Sequence, residues 1–172
     1  MTAPAQIRVL GIDPGTASTG FGIVESQGQR LTTVCGGVIS TAAGVPVEQR
    51  LAAIAARLEE LLDEHSPDAL AIEEVYFGRN VRSAFAVGQA RGAVFAAAGG
   101  RDVPCFSYTP QAVKLAVCGS GAARKDQVQR MVGALLSLPE PPKSDHAADA
   151  LALAICHAFQ TRPANGARRT AN

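Results

Sequence analysis

Three short, β-rich segments near the start of the chain most strongly constrain its fold. Residues 7–13, 19–25 and 31–40 are rich in apolar, small or β-branched side chains, and the connections between them are residues 14–18 and 26–30. Crossover connections between parallel strands need a dozen or more residues, whereas antiparallel neighbours can be joined by a short turn. The Pro14–Gly15 pair is typical of such a turn. The segments therefore predict an antiparallel three-stranded meander.

The rest of the chain alternates between helical and strand patterns. Leu51, Ile54, Leu58 and Leu61 recur at helical spacing within residues 47–65, and Pro67 follows them. Residues 69–75 then read as a strand that is reached through a helix, which predicts that it is parallel to the first strand. We expect a further strand at residues 103–108 and helices at residues 81–98, 110–117, 123–136 and 146–161. The pattern predicts an α/β fold with a single five-stranded mixed sheet flanked by helices.

Length and composition favour one folded domain. A chain of 172 residues, 47% hydrophobic and 18% charged, is long and apolar enough to bury a core, which excludes an intrinsically disordered chain. We expect a single domain over residues 1–161 and a disordered tail over residues 162–172, where no apolar pattern remains.

Two further features concern the location of the protein. The longest uncharged run, residues 31–47, is interrupted by glycines and a proline and does not predict a spanning helix, and the N-terminus lacks a signal-peptide pattern. The four cysteines have no CxxC spacing, which predicts neither disulfides nor a zinc site. We expect a reduced, cytoplasmic protein with no membrane association.

Charge is distributed unevenly along the chain. Residues 1–78 carry four basic and ten acidic side chains, whereas residues 79–130 carry eight basic and two acidic ones. A basic segment in a chain of net charge +1 indicates either an anionic partner or a solvated helix face.

Acidic side chains occur at three places where solvation does not explain them. Asp13 ends an apolar strand, Glu73 and Glu74 lie inside another, and Asp145 and Asp149 begin an apolar helix. The first and fourth strands are expected to be neighbours, and side chains alternate between the faces of a strand. Only one of Glu73 and Glu74 can therefore face Asp13, and alternation alone does not say which.

Converging carboxylates point to a hard divalent cation. They repel one another unless cations lie between them, and oxygen ligands suit Mg²⁺ or Mn²⁺ better than zinc. Two such ions would support in-line hydrolysis of a phosphodiester. The competing interpretation is that these acids are helix caps and strand-end residues, since Asp145 would also be favoured at a helix N-terminus.

Five motifs occur in order along the chain. They are LGIDPGTASTGFGIV (residues 10–24), AIEEVYF (71–77), GQARGAVFAA (88–97), QAVKLAVCGSGAARKDQVQRMV (111–132) and DHAADALALAICH (145–157). Together these motifs resemble the bacterial RuvC Holliday junction resolvases. The terminal AADALA and the GQARG motif are more specific than GIDPG, which the wider ribonuclease H-like and actin-like ATPase superfamily shares.

The resemblance implies a ribonuclease H-like fold and a homodimer. It also implies an endonuclease that uses two Mg²⁺ ions, with Mn²⁺ as a possible substitute, to make paired symmetric nicks in opposed strands of four-way DNA junctions during recombination and repair. The expected products carry a 5′-phosphate and a 3′-hydroxyl. The branch-migration proteins RuvA and RuvB are implied as partners.

The resemblance also implies the site residues. Asp13, Glu73 and Asp149 match the family's catalytic, metal-binding acids, which selects Glu73 over Glu74. Three residues before Asp149, where most members have an acid, this chain has His146, as some members do; we favour His146 as the fourth catalytic and metal-binding residue, with Asp145 as the alternative.

Contacts to DNA are expected from the basic middle of the chain. Lys114 and Lys125 match basic positions of the family, and Tyr76 and Phe77 match an aromatic position that can stack on a base. The DNA-binding set that we predict is Lys114, Lys125, Tyr76, Phe77, Arg79, Arg82 and Arg124.

Two groups of small residues have predicted roles. The helix at residues 81–98 carries Ala84, Ala86, Ala90 and Gly92 and is a candidate dimer face. We expect Gly15, Gly20 and Gly22 to allow the cleaved phosphate to approach Asp13.

Two other functions are compatible with parts of this pattern. One is a junction-binding module without catalysis, which the replacement of an acid by His146 favours. The other is a fragment of an actin-like ATPase, which the first motif alone would fit.

Overall fold

A computed structural model describes residues 6–75 and 80–161 and contains the predicted meander. Strands β1 (Gln6–Asp13), β2 (Ser18–Gln27) and β3 (Arg30–Ser40) pair as consecutive antiparallel neighbours. Asp13 is the last residue of β1 and lies directly opposite Gly20 on β2. The prediction from the short connections is therefore confirmed.

The sheet is completed by two parallel strands that are each reached through a helix. After α1 (Val47–His65), β4 (Ala69–Glu73) pairs with β1; after α2 (Val81–Gly99), β5 (Cys105–Tyr108) pairs with β4. The strand order is β3-β2-β1-β4-β5, a five-stranded mixed sheet as predicted. Each parallel strand is two residues shorter than predicted: β4 ends at Glu73, and β5 begins only after Pro104.

Three helices follow β5 and cover one face of the sheet. They are α3 (Pro110–Cys118), α4 (Lys125–Leu135) and α5 (Asp145–Gln160). Thr109 caps α3 and Ser144 caps α5, each accepting a hydrogen bond from the backbone N–H three residues on. Each cap sets where a helix that carries predicted site residues begins.

Alternation along the central strands divides the core into two layers. Val9 of β1 and Ala71 of β4 pack with α3, α4 and α5, whereas Leu10 and Ile72 pack with α1 and α2. Helix α5 is buried from Ala150 to Ala158, which explains why its sequence is almost entirely apolar after the first turn.

Glycines let α5 lie unusually close to the sheet. A Cβ on Gly11 would overlap the backbone of Ala150, and a Cβ on Gly20 would overlap the backbone of His146. A Cβ on Gly22 would lie 2.6 Å from a methyl group of Leu151. The phosphate-approach interpretation is therefore wrong for Gly20 and Gly22, whose missing side chains accommodate α5; the space beside Gly15 is taken by the backbone of Ser18.

Two further expectations concern membrane-spanning helices and the C-terminal tail. Within residues 6–75 and 80–161, no helix combines the length and apolar character needed to cross a membrane. The tail predicted at residues 162–172 lies outside the described residues.

Candidate active site

Strand register brings Asp13 and Glu73 to the same edge and the same face of the sheet. Ile12 of β1 pairs with Ile72 of β4, so the next residues of the two strands, Asp13 and Glu73, are side by side at the strands' carboxyl ends. Both line one cavity on the α5 side of the sheet, whereas Glu74 is exposed. This arrangement agrees with Glu73, rather than Glu74, as the neighbour of Asp13.

The first turns of α5 bring two more predicted residues to the same place. His146 Nδ1 lies 2.7 Å from Asp13 Oδ2, within hydrogen-bonding distance. Asp149, one turn later, lines the cavity together with Asp13 and Glu73. His146 and Asp149, which follow Asp13 by 133 and 136 positions in the chain, thus meet it at one edge of the sheet.

The cavity has an acidic rim and an apolar wall. Its volume is about 240 Å³, and α3 and α4 contribute its far side. It is lined by Asp13, Glu73, Pro110, Val113, Lys114, Lys125, Val128, Asp149, Ala152 and Leu153. A cleft of this kind can hold an anionic group only if positive charge offsets its carboxylates.

The crowding of carboxylates changes their acidity. Burial, followed by repulsion from Asp13 and Asp149, raises the pKa of Glu73 from 4.5 to about 7. Burial, followed by repulsion from Asp13, likewise raises the pKa of Asp149. Without a cation between them, these acids do not all ionise readily at neutral pH.

Lys125 faces the acidic cluster from the start of α4. Its Nζ lies 3.1 Å from Asp145 Oδ2 and 3.9 Å from Asp149 Oδ2. The hydrogen bond to Asp145 is the largest cause of the raised pKa of Lys125. The other oxygen of Asp145 accepts a hydrogen bond of 2.7 Å from Gln129 Nε2. Both oxygens of Asp145 therefore bind α4 side chains, whereas His146 bonds to Asp13.

The donor set fits a hard divalent cation in its chemistry. Among residues 6–75 and 80–161, no group of three or more His, Cys, Asp or Glu side chains is already arranged as a metal cluster. Instead His146 and Lys125 occupy oxygens of Asp13 and Asp149. Asp13, Glu73 and Asp149 share one cavity, where the charge of Asp13 helps to raise the pKa of Glu73 and of Asp149. Carboxylates are nevertheless the ligands that Mg²⁺ or Mn²⁺ prefers.

Of the remaining predicted DNA-binding residues that the structure describes, one lines the cavity and two are exposed elsewhere. Lys114 of α3 lines it. Arg124 precedes α4, is exposed and pairs with Asp126 at 3.2 Å, and Arg82 is exposed in the first turn of α2. Tyr76, Phe77 and Arg79 lie outside the described residues.

One residue that the sequence analysis did not single out contacts the site from behind. Arg91 of α2 donates a hydrogen bond to the backbone carbonyl of Glu73. Arg91 lies inside the GQARG motif, and this position was the sequence signal that could have pointed to it. The contact itself leaves no sequence pattern, because its acceptor is a backbone carbonyl.

The chain is similar in sequence to proteins of one family. The sequence model of the RuvC family, described as crossover junction endodeoxyribonuclease RuvC, matches residues 9–157. A relative of that name from Pelotomaculum thermopropionicum is 51% identical over 150 residues, which is 87% of this chain and 92% of the relative. Another from Thermomicrobium roseum is 49% identical over 164 residues, covering 95% of this chain and all of the relative.

A solved structure agrees in fold as well as in sequence. The chain matches T. thermophilus RuvC in complex with a Holliday junction substrate with a TM-score of 0.87 and 41% identity, covering 91% of this chain and 95% of that one. The predicted ribonuclease H-like fold is thereby confirmed. The family match and these relatives favour a nuclease over the alternative of an actin-like ATPase. The chain belongs to the RuvC family of crossover junction endodeoxyribonucleases.

Proposed function

We propose that this protein is a Holliday junction resolvase that hydrolyses one phosphodiester in each of two opposed strands of a four-way DNA junction. The observation that carries the proposal is the meeting of Asp13, Glu73 and Asp149 in one cavity beside Lys114 and Lys125. Family membership supports the nuclease activity, and the similar T. thermophilus protein was solved with a Holliday junction substrate.

The acids of the cavity would hold two Mg²⁺ ions, with Mn²⁺ as a substitute. When bound, such ions supply charge neutralisation and activate water for attack on phosphorus, leaving a 5′-phosphate and a 3′-hydroxyl. Asp13, Glu73 and Asp149 orient oxygen donors from three separate elements, β1, β4 and α5. Because the pKa of Glu73 is raised to about 7, cation binding must displace protons from part of the Glu73 carboxyl groups at neutral pH.

We propose His146, rather than Asp145, as the fourth working residue. His146 Nδ1 reaches Asp13, whereas Asp145 uses both oxygens on Lys125 and Gln129. A neutral His146 can offer a nitrogen to a metal ion, and a protonated one can bind phosphate. Asp145 would instead hold Lys125 beside the acids, so that its ammonium is available to a DNA phosphate.

DNA would approach over the basic side chains of the cavity wall and of the exposed surface. Lys114 and Lys125 are the basic residues of the cavity wall, and exposed Arg82 and Arg124 extend positive charge outward. We propose that these residues contact the phosphate backbone. Base stacking by Tyr76 or Phe77, and a contact from Arg79, remain proposals from the sequence.

Two opposed cuts require two such cavities, which a homodimer would supply. Helix α2 exposes Val81 by 67% and Phe85 by 64%, and nothing lies within 4 Å of a Cβ built on Gly88 or Gly92. This exposed apolar and small surface is our proposed face for the second copy. Of the predicted small residues, Ala84 and Ala90 are buried within the chain and do not contribute to it.

The remaining expectations go with this function. We propose that residues 1–161 act as one nuclease domain, that the protein works on chromosomal DNA in the cytoplasm, and that RuvA and RuvB are its partners in branch migration.

The experiment is a comparison of Asp13→Asn with wild type on a synthetic four-way junction. Asp13→Asn is expected to bind the junction with wild-type affinity but to nick it at least about 10³-fold more slowly in Mg²⁺, because a ligand to the cation is lost. Glu74→Gln, which removes an exposed carboxylate next to the site, is the matched control and should cleave normally. Wild-type nicking by Asp13→Asn would refute the site, and a wild-type protein that binds but never cleaves would favour the junction-binding module.

A further inference from the structure

The catalytic end of β4 lacks a strand partner on one side. The N–H of Glu74 donates to the carbonyl of Tyr108 on β5 at 2.9 Å. In a trans peptide group the C=O points opposite to the N–H, so the carbonyl of Glu73 is directed to the β1 side. One more step of the parallel ladder would need a donor from residue 14, which is proline and has no N–H.

Arg91 supplies the missing donor. Its Nη1 donates to the carbonyl of Glu73, and its Nη2 donates to Ser107 Oγ on β5 at 2.6 Å. The guanidinium also lies over the ring of Phe95, 4.8 Å from the ring centroid. Arg91 therefore ties the ends of β4 and β5 to α2.

The geometry separates the two neighbouring glutamates. The side chain of Glu73 lines the cavity on the α5 side, while Ser107 and Glu74 lie on the α2 side with Arg91. The negative charge of Glu74 favours the charged form of Arg91. Arg91 thus contacts the backbone of Glu73 and not its side chain, from the face of the sheet opposite to the cavity. Its guanidinium contacts a backbone carbonyl, a hydroxyl group and an aromatic ring, and Arg91 is not among the residues that line the cavity.

We propose that Arg91 is a positioning residue that holds the carboxylate of Glu73 in line with Asp13 and Asp149 by anchoring the backbone at the end of β4. The inference rests on the proposed nuclease function only for its activity readout. A carboxylate on an unanchored strand end would sample positions about 1 Å away, a displacement that can cost about 10²-fold in rate.

The test compares Arg91→Met, Arg91→Lys and the control Arg101→Met. Arg101 is also partly buried and ion-paired, with Asp63 at 2.5 Å, but it precedes β5 and so lies at the edge of the sheet away from the site. Four measurements are made on the full chain: melting temperature, metal-free junction binding, Mn²⁺ binding by calorimetry, and single-turnover cleavage. Hydrogen exchange of the Glu74 amide reports directly on the end of β4.

For Arg91→Met we expect about 10- to 100-fold slower cleavage and about 10-fold weaker Mn²⁺ binding. The Glu74 amide should exchange faster, and junction affinity should be unchanged. Arg101→Met, which also removes an ion-paired arginine, should show none of these effects. Arg91→Lys, whose single ammonium cannot reach both acceptors, should fall between Arg91→Met and wild type.

Several results would overturn the proposal. Wild-type Mn²⁺ binding and amide exchange in Arg91→Met would do so, as would a loss of junction affinity, which would make Arg91 a DNA contact. If Arg91→Met does not fold, Arg91→Lys decides, and wild-type values for it reject the proposal. If the wild-type protein does not cleave junctions, the proposed function fails, but Mn²⁺ binding and amide exchange still test the anchoring.

Discussion

Replacing Gly20 with alanine would test how the site is assembled. Gly20 lies opposite Asp13 in the β1–β2 pair, and the missing side chain leaves room for the backbone of His146 at the start of α5. A Cβ at position 20 would lie 2.0 Å from the carbonyl oxygen of His146. That is about 1 Å closer than the 3.0 Å that real Cβ atoms keep from other heavy atoms. A backbone carbonyl cannot rotate away as a side chain would, so the first turn of α5 must move.

The expected cost is larger for catalysis than for stability. Overpacking of this kind costs about 1–3 kcal/mol of unfolding free energy. A displacement of about 1 Å between Asp13 and the α5 residues His146 and Asp149 corresponds to about 10²-fold in cleavage rate. Junction affinity should stay near the wild-type value, because Lys114 and Arg82 do not lie on α5.

The assay is single-turnover nicking of a labelled four-way junction, with circular dichroism as the measure of folding. Gly36→Ala is the matched control, because Gly36 is also a sheet glycine but a Cβ there has its nearest neighbour at 3.4 Å. If Gly20→Ala folds and cleaves as fast as Gly36→Ala, the close approach of α5 does not set the geometry of the site, and the reasoning is refuted.

Three further predictions follow from charge. In the metal-free folded protein the Glu73 carboxyl keeps its proton between pH 4.5 and about 7, whereas in the unfolded chain it ionises over the same range. The free energy of unfolding therefore falls as the pH rises through this range. Glu73→Gln should remove the fall and gain up to about 3 kcal/mol at pH 8 but nothing at pH 4, measured by urea unfolding in a chelator; an equal gain in Glu74→Gln would contradict this. Asp145→Asn should slow cleavage by less than about 10-fold and His146→Ala by more than about 10²-fold, and the reverse order would make Asp145 the working ligand. Arg82→Met should reduce the slope of log binding constant against log salt concentration by about 1, and an unchanged slope would remove Arg82 from the DNA interface.

The sequence alone was sufficient for the order and direction of the strands. Connections of five residues cannot form crossovers, and helical spacing between residues 47 and 65 separates the third strand from the fourth, so local periodicity and chain length already determine a mixed sheet. The same patterns showed which acids were out of place, because a carboxylate such as Asp13 at the end of an apolar strand is visible without coordinates.

Tertiary structure decided which side chains meet. Alternation left Glu73 and Glu74 equivalent until the pairing of Ile12 with Ile72 set the register, apart from what family resemblance implied. The roles of Gly20 and Arg91 could be assigned only from the structure, since one is a missing side chain beside a helix backbone and the other a hydrogen bond to a carbonyl. Such contacts join residues distant in the chain and depend on packing distances of a few ångströms, which residue periodicity does not encode.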